Sequence, residues 1–175
     1  MEAASKLALY EKLMLPHLDA AYNLARWMTR NEDDAQDVVQ ESYLRALRFF
    51  DGFRGGDPRP WLLAVVRNTA RTWRRRERAS TTEPFDEAVH GSGLHVATIE
   101  TELVEGSRFT GLRECLELLP VEFREVIVMR EMEEMSYREV AEAAGAPIGT
   151  VMSRLSRARR RLQDCLAARM QESGP

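Results

Sequence analysis

Apolar residues recur every three or four positions along most of this chain, which is the spacing of an amphipathic helix. No stretch shows the apolar-polar alternation of a strand. One apolar stripe follows residues 31–34, whose polar side chains are typical of a helix start. This stripe comprises Val39, Tyr43, Ala46, Leu47 and Phe50. A further helix, packed on the same domain, is predicted from Leu7, Leu13, Leu15 and Leu18.

The helical pattern is interrupted between residues 79 and 110, where the chain is acidic and rich in small residues. Only a short helix near residues 98–104 is compatible with this segment. The sequence therefore predicts an all-α protein of two small helical domains, residues 1–80 and 111–175, joined by a flexible acidic linker, residues 81–110. No apolar run reaches the roughly 20 residues of a membrane span, so we expect no membrane insertion.

Charge is distributed unevenly over the 175 residues, although the net charge is only −3. Residues 67–78 hold six arginines, and residues 147–163 hold five basic residues and no acid. The linker, by contrast, holds six acidic residues and one arginine. Two basic clusters on an acidic chain predict two local contacts with a polyanion.

The first basic cluster lies on a predicted helix with two different faces. One side carries Trp61, Leu62, Val65, Val66, Thr69 and Trp73. The other side carries Arg67, Arg71, Arg74 and Arg78. Like charges one turn apart repel by a few tenths of a kcal/mol, and phosphates would relieve that repulsion. The pattern therefore predicts a tryptophan face in the core and an arginine ridge on the solvent side that binds nucleic acid.

The second basic cluster ends a predicted helix-turn-helix. Ser136 and Glu139 have the spacing of a capping box, Gly145 ends the helix over residues 137–144, and Pro147 precedes the next one. In that last helix Val151, Leu155, Ala158 and Leu162 form the buried face. Its other face carries Thr150, Ser153, Arg154, Arg157, Arg160 and Arg161. Hydroxyls and arginines on one helix face suit the base edges and phosphates of duplex DNA.

Candidate chemistry is sparse. Cys115 and Cys165 form no CxxC motif, so we expect two separate buried thiols without a disulfide or a zinc site. His17, His90 and His95 form no HExxH motif, and neither a Ser/His/Asp set nor a phosphate-binding glycine loop is present. The sequence predicts no catalytic residue, no metal and no cofactor. The N-terminus does not resemble a signal peptide, which predicts a cytoplasmic protein.

Read together, the two domains resemble a known family. The chain resembles conserved region 2 of bacterial sigma-70-type transcription initiation factors at residues 34–46, at Phe53, Arg54 and Gly55, and at residues 67–70. Residues 119–126, 135–141 and 149–162 resemble region 4. Because only these two regions and a short tether are present, the chain is most similar to the extracytoplasmic-function (ECF, group IV) sigma factors.

This resemblance implies a factor that binds core RNA polymerase, directs it to promoters and assists strand opening. Contact with the β′ clamp helices would come from Asp34, Asp37, Gln40 and Glu41. Contact with the −10 element would come from Phe53, Arg54, Arg67, Asn68, Arg71, Arg74 and Arg75. Contact with the −35 element would come from Thr150, Ser153, Arg154 and Arg157. The β flap and an anti-sigma factor are further implied partners.

Two other functions remain open from the sequence. A sigma-like decoy would keep the fold in order to capture an anti-sigma factor, but would not need arginines on its recognition helix. A stand-alone helix-turn-helix regulator would have no use for the polar side chains of residues 34–41, namely Asp34, Asp37, Gln40 and Glu41. We refer to these four residues as the acidic stripe. Met152 also departs from the family, which usually has lysine or arginine there, so the −35 preference is expected to be unusual.

Overall fold

The structure, a computed structural model, describes the backbone of residues 2–80, 102–172 and 174, and the side chains of these residues except 102–109. Within this part of the chain the regular structure is entirely helical, which confirms the all-α prediction. The helices are α1 (Glu2–Met14), α2 (Leu18–Thr29), α3 (Glu32–Arg48), α4 (Pro58–Ser80), α5 (Glu102–Leu118), α6 (Val121–Ile127), α7 (Tyr137–Ala144) and α8 (Ile148–Glu172). Short 3₁₀ turns cover Leu15–His17 and Phe50–Gly52. None of the described helices is long and apolar enough to cross a membrane.

Helix α1 forms as predicted, but of the four leucines expected to pack only Leu13 does so, as a half-buried residue against the cluster that contains Tyr10 and Met14. Tyr10 and Met14 are the buried positions of α1. The Tyr10 hydroxyl donates to the Tyr43 carbonyl at 2.6 Å, and the Tyr43 hydroxyl donates to the Met14 carbonyl at 2.9 Å. Leu7, Leu15 and Leu18 are each more than 40% exposed. A tyrosine pair that satisfies two backbone carbonyls therefore sets the register of α1.

The predicted helix start before α3 is confirmed. Asn31 has extended backbone angles, and its side chain accepts a hydrogen bond from the Asp34 amide at 3.0 Å. Helices α2, α3 and α4 then pack together around a common core. That core includes Leu24, Met28, Val38, Leu63 and Val66.

The helix-turn-helix is confirmed in detail. Ser136 and Glu139 form a reciprocal capping box, and Gly145 ends α7 in the left-handed conformation with φ of 61°. Val151, Leu155 and Ala158 are buried on α8 as predicted. A π-helical turn follows α6 over Val128–Met132.

Helix α5 begins at Glu102, so the C-terminal end of the predicted linker is helical. Residues 81–101 of that linker lie outside the described residues. The two halves of the chain, α1–α4 and α5–α8, pack against each other through α4 on α7 and α2 on α6. Residues from both halves belong to one hydrophobic cluster, in which Leu63 and Val66 join Val126 and Val140. We refer to this packing as the interdomain contact.

The prediction of two separate thiols is wrong. Cys115 on α5 and Cys165 on α8 form a disulfide, with their Cα atoms 5.8 Å apart. The two positions are 50 residues apart in sequence, and only the packing of α5 on α8 brings them together. Sequence spacing carries no signal for such a pair.

Candidate polymerase and nucleic-acid interfaces

Helix α3 carries the residues predicted to bind polymerase. Asp37 and Gln40 are exposed, and Asp34 and Glu41 are half-buried, so all four lie at the surface of the helix. Glu41 forms an ion pair with Arg45 one turn later, with 2.6 Å between the charged atoms. The buried side of the helix comprises Ala35, Val38, Val39, Ser42 and Ala46. The acidic stripe is thus separate from the side of α3 that packs in the core.

Two large apolar side chains are exposed near the C-terminal end of α3. Leu44 is 69% exposed on α3, and Phe49 is 61% exposed at the end of the helix. Large apolar groups held in water are typical of a protein-binding surface. The sequence pattern gives no signal for an exposed Phe49, because the adjacent Phe50 fits the buried periodicity equally well.

The loop between α3 and α4 is held by an aromatic cluster. Phe53 stacks on Phe50 with ring centroids 6.0 Å apart, and its centroid lies 5.5 Å from that of Trp61. Phe53 remains half-buried, whereas Arg54 beyond it is exposed. Gly55 and Gly56 follow with φ of 89° and 85°, angles that a residue with a side chain rarely adopts. The loop is therefore anchored at one end and turns sharply at the other.

The sequence predicts that the whole arginine ridge of α4 lies in solvent. This prediction is only partly correct. Arg67 is only 8% exposed, and Arg71 and Arg74 are half-buried. Asn68 and Arg75 are exposed. The interdomain contact covers the first part of the ridge and leaves its C-terminal part open.

Glu125 is the reason that Arg67 can be buried. Its carboxylate is fully buried and accepts a hydrogen bond from Arg67 Nε at 2.8 Å, while Arg71 lies 3.6 Å from the same oxygen. Burial raises the pKa of Glu125, and the neighbouring charges of Arg67, Arg71 and Arg154 oppose that rise. Burial cost and attraction thus act against each other, so the ion pair fixes the geometry more than it adds net stability.

Further polar contacts join the two halves. Arg59 donates to the Glu133 carbonyl at 2.9 Å, and Asn23 donates to the Glu133 carboxylate at 2.8 Å. Arg124, also buried, donates to the Trp27 carbonyl at 3.1 Å. The π-helical turn precedes Glu133, and π-turns of this kind recur at functional sites.

Helix α8 presents the predicted recognition face. Ser153 and Arg157 are exposed, and Thr150 and Arg154 are half-buried. The Ser153 hydroxyl donates to the Thr150 carbonyl at 3.0 Å. Met152 lies in the same turn and is 52% exposed. The face therefore combines hydroxyl groups, arginines and one exposed thioether.

Glu125 is the residue that sequence reasoning missed. It lies within residues 119–126, which resemble region 4, but its own pattern is that of any acidic residue on a helix. The structure contains no cluster of His, Cys, Asp or Glu residues suited to a metal among the residues it describes.

Comparison with known proteins agrees with this geometry. The sigma-70 region 2 model matches residues 13–80, and the sigma-70 region 4 model matches residues 110–162. The ECF RNA polymerase sigma-E factor of Haemophilus influenzae is 32% identical over 149 residues, which cover 81% of this chain and 78% of that protein. The chain belongs to the ECF sigma factors of the sigma-70 family. The ECF sigma factor SigE of Mycolicibacterium smegmatis is 29% identical over 94% of this chain, and the match spans 64% of that longer relative.

Two solved structures resemble this ECF sigma factor over almost its whole length. The sigma factor RpoE of Bartonella quintana, solved in complex with the anti-sigma factor NepR, covers 90% of this chain and 96% of its own, with a TM-score of 0.68 and 25% identity. CnrH, solved with the cytosolic domain of CnrY, covers 95% of both chains, with a TM-score of 0.66 and 26% identity.

Proposed function

We propose that this ECF sigma factor binds core RNA polymerase and brings it to promoters, where its two halves contact separate DNA elements. The observation that carries this proposal is that this member of the family presents three separate charged surfaces on three different helices. The acidic stripe lies on α3, one arginine set lies on α4, and a second arginine set lies on α8. Because the mechanism needs binding and no covalent chemistry, no catalytic residue is assigned.

Polymerase binding is assigned to Asp34, Asp37, Gln40 and Glu41 on α3, with the exposed Leu44 and Phe49 beside them. Carboxylates would pair with basic side chains of the partner, and the apolar pair would supply buried area. The β′ clamp helices are the proposed partner of this surface, and the β flap is the proposed partner of region 4. Since its polymerase is a cytoplasmic enzyme, the factor is proposed to act in the cytoplasm.

Promoter recognition is divided between the two halves. The −10 element, opened to a single strand, is assigned to the loop and α4 through Phe53, Arg54, Arg67, Asn68, Arg71, Arg74 and Arg75. Unstacked bases would pack on Phe53, and the arginines would follow the backbone. The −35 duplex is assigned to Thr150, Ser153, Arg154 and Arg157 on α8. Affinity for unstacked bases favours the open promoter over the closed duplex, which is how the factor would assist strand opening.

Arg67 can contact DNA only after it leaves Glu125. The interdomain contact, which buries this arginine, is therefore assigned to the factor when it is free of promoter DNA. An anti-sigma factor is proposed as a further partner, because the similar sigma factor RpoE of Bartonella quintana was solved bound to the anti-sigma factor NepR.

The test is run-off transcription with bacterial core polymerase and fragments of genomic DNA. We expect discrete transcripts that require this protein, and their start points would locate the −10 and −35 elements. Asp37→Lys should abolish core binding, whereas Asp33→Lys, an exposed acid at the start of the same helix, serves as the charge-matched control. Binding of an anti-sigma factor without any core binding would favour the decoy, and duplex binding without core binding would favour the stand-alone regulator.

A further inference from the structure

Glu125 occupies a position among the arginines of both DNA-contact helices. It lies on α6, 2.8 Å from Arg67 and 3.6 Å from Arg71 of α4, and the charge of Arg154 on α8 also acts on it. We propose that Glu125 stands in for a DNA phosphate, so that the interdomain contact withholds the promoter-binding arginines until the two halves separate. This inference rests on the proposed function of those arginines.

The contacts of Glu125 are those that a phosphate oxygen would make. A carboxylate and a phosphate both present anionic oxygens to guanidinium N–H groups, and arginine binds the two in the same geometry. Oε1 of Glu125 accepts the hydrogen bond from Arg67 and forms the ion pair with Arg71, while Oε2 accepts no hydrogen bond from the described residues. The carboxylate is thus oriented by the arginines rather than by its own half of the molecule.

Exclusion of DNA follows from the burial of the pair. Arg67 is 8% exposed and Glu125 is fully buried, so no phosphate can reach Arg67 while the contact persists. The apparent DNA affinity is then the intrinsic affinity multiplied by the fraction of molecules in the open arrangement. A partner that binds only the open arrangement, such as core polymerase, would release the arginines by shifting this equilibrium.

The remaining interdomain contacts do not serve the same purpose. Arg59, Asn23 and Arg124 bind backbone carbonyls or the carboxylates of Glu133 and Glu139. Among these described contacts, those of Glu125 bury Arg67, which is assigned to the −10 strand. The proposal therefore concerns the charge at position 125 and not the contact area as a whole.

The first experiment reverses that charge in the full-length protein. Glu125→Lys places a cation against Arg67 and Arg71, and Glu122→Lys makes the same change at an exposed position on the same helix. Binding of the free protein to a labelled mixed-sequence single strand is measured by fluorescence anisotropy, and the radius of gyration by X-ray scattering. If about one molecule in ten of the wild type is open, complete opening tightens apparent binding about tenfold.

We expect Glu125→Lys to raise both the DNA affinity and the radius of gyration above those of Glu122→Lys. Combining Arg67→Glu with Glu125→Lys should return the radius part of the way to the wild-type value, because the pair with position 67 is re-formed with exchanged signs while the new cation still faces Arg71. Equal affinity and equal radius for the two lysine variants would overturn the proposal, as would a swapped pair that stays as open as the single variant.

A second measurement uses only the wild type and does not depend on whether a variant folds. Phenylglyoxal modifies exposed arginines, and mass spectrometry gives the rate at each one. In the free protein Arg67 should react at least about tenfold more slowly than the exposed Arg75, and core polymerase without DNA should remove most of that difference. Equal rates in the free protein would overturn the proposal.

These outcomes are distinguishable from failure of the proposed function. If run-off transcription with the wild type succeeds while Arg67 reacts as fast as Arg75, the protein directs polymerase to promoters, but Glu125 does not withhold Arg67 from DNA. If no transcripts form but the charge reversal still opens the molecule and tightens single-strand binding, the block is present and the promoter assignment is wrong.

Discussion

At the scale of single residues, the structure adds partners that no sequence pattern indicates. Tyr10 and Tyr43 hydrogen-bond backbone carbonyls across two helices, and burial raises the pKa of each to about 12. Met152 is an exposed apolar side chain among the hydroxyls of the recognition helix. Both features lead to predictions at this scale.

The tyrosine pair predicts a stability that depends on alkaline pH. The folded protein keeps both phenolic protons to about pH 12, whereas an unfolded tyrosine loses its proton near pH 10. Below about pH 10 this pair should therefore give the free energy of unfolding no dependence on pH. The free energy should fall as the pH rises from there towards 12. Urea denaturation at several pH values should show this fall in the wild type and a smaller one in the Tyr10→Phe, Tyr43→Phe double variant. Identical slopes for the two proteins would refute the prediction.

Met152 predicts that thymine methyl groups contribute to −35 recognition. An apolar side chain in the major groove can contact the thymine methyl, and burial of one such group is worth about 0.8 kcal/mol, or about fourfold in Kd. Replacing thymine by uracil throughout the mapped −35 duplex should therefore weaken wild-type binding by about that factor. Met152→Ala should bind the two duplexes equally, and an equal loss in both proteins would exclude Met152 as the reader of the methyl.

At the scale of elements, the sequence was most informative where a local chemical signal marks a boundary. The Asn31 cap, the Ser136–Glu139 capping box and the left-handed Gly145 appear where the sequence predicts them, because each depends on neighbours within four residues. The π-helical turn after α6 and the exposed leucines of α1 were not predictable, since both depend on what packs against them.

The recognition helix predicts a division of labour between the halves. Arg154→Ala combined with Arg157→Ala should weaken binding to the −35 duplex by about 2 kcal/mol, roughly thirtyfold in Kd, because two groups assigned to bases and phosphates are lost. The salt dependence of binding should also become shallower, by about 0.9 log units per tenfold salt for each phosphate contact removed. Both effects are measured by titration of labelled duplex at several salt concentrations.

Core polymerase binding, measured by pull-down, should be unchanged in the same double variant, because the acidic stripe lies on α3 in the other half. Loss of core binding in a variant with a normal thermal transition would contradict the division. The same measurement on the Asp37→Lys variant provides the reciprocal comparison.

At the scale of the whole molecule, two long-range connections hold the fold together. The interdomain contact joins α2 and α4 to α6 and α7, and the Cys115–Cys165 disulfide joins α5 to α8. Disulfides are rare in reducing compartments, so in the proposed cytoplasmic location this bond is exposed to cellular reductants. The stability of the protein should therefore be measured with the disulfide intact and with it reduced.

The disulfide predicts a redox-dependent stability of the second half. Closing a loop between cysteines 50 positions apart restricts the unfolded chain by about 4 kcal/mol in the chain-entropy description. Thermal unfolding with and without dithiothreitol should therefore show a lower midpoint under reduction. The Cys115→Ser, Cys165→Ser double variant should unfold at the lower midpoint in both conditions, and a reductant effect that persists in this variant would show that the disulfide is not its cause.

The sequence by itself determined the helical class, the caps, the buried face of α8 and the positions of the acidic stripe and both arginine sets. These features follow from periodicity and from contacts between residues one turn apart, which the order of residues specifies directly. Only the tertiary structure decided which arginines lie in solvent. Arg67 is buried because Glu125, 58 positions later in the chain, is brought against it by the packing of the two halves. No local pattern encodes that distance, and the same is true of Cys115 with Cys165.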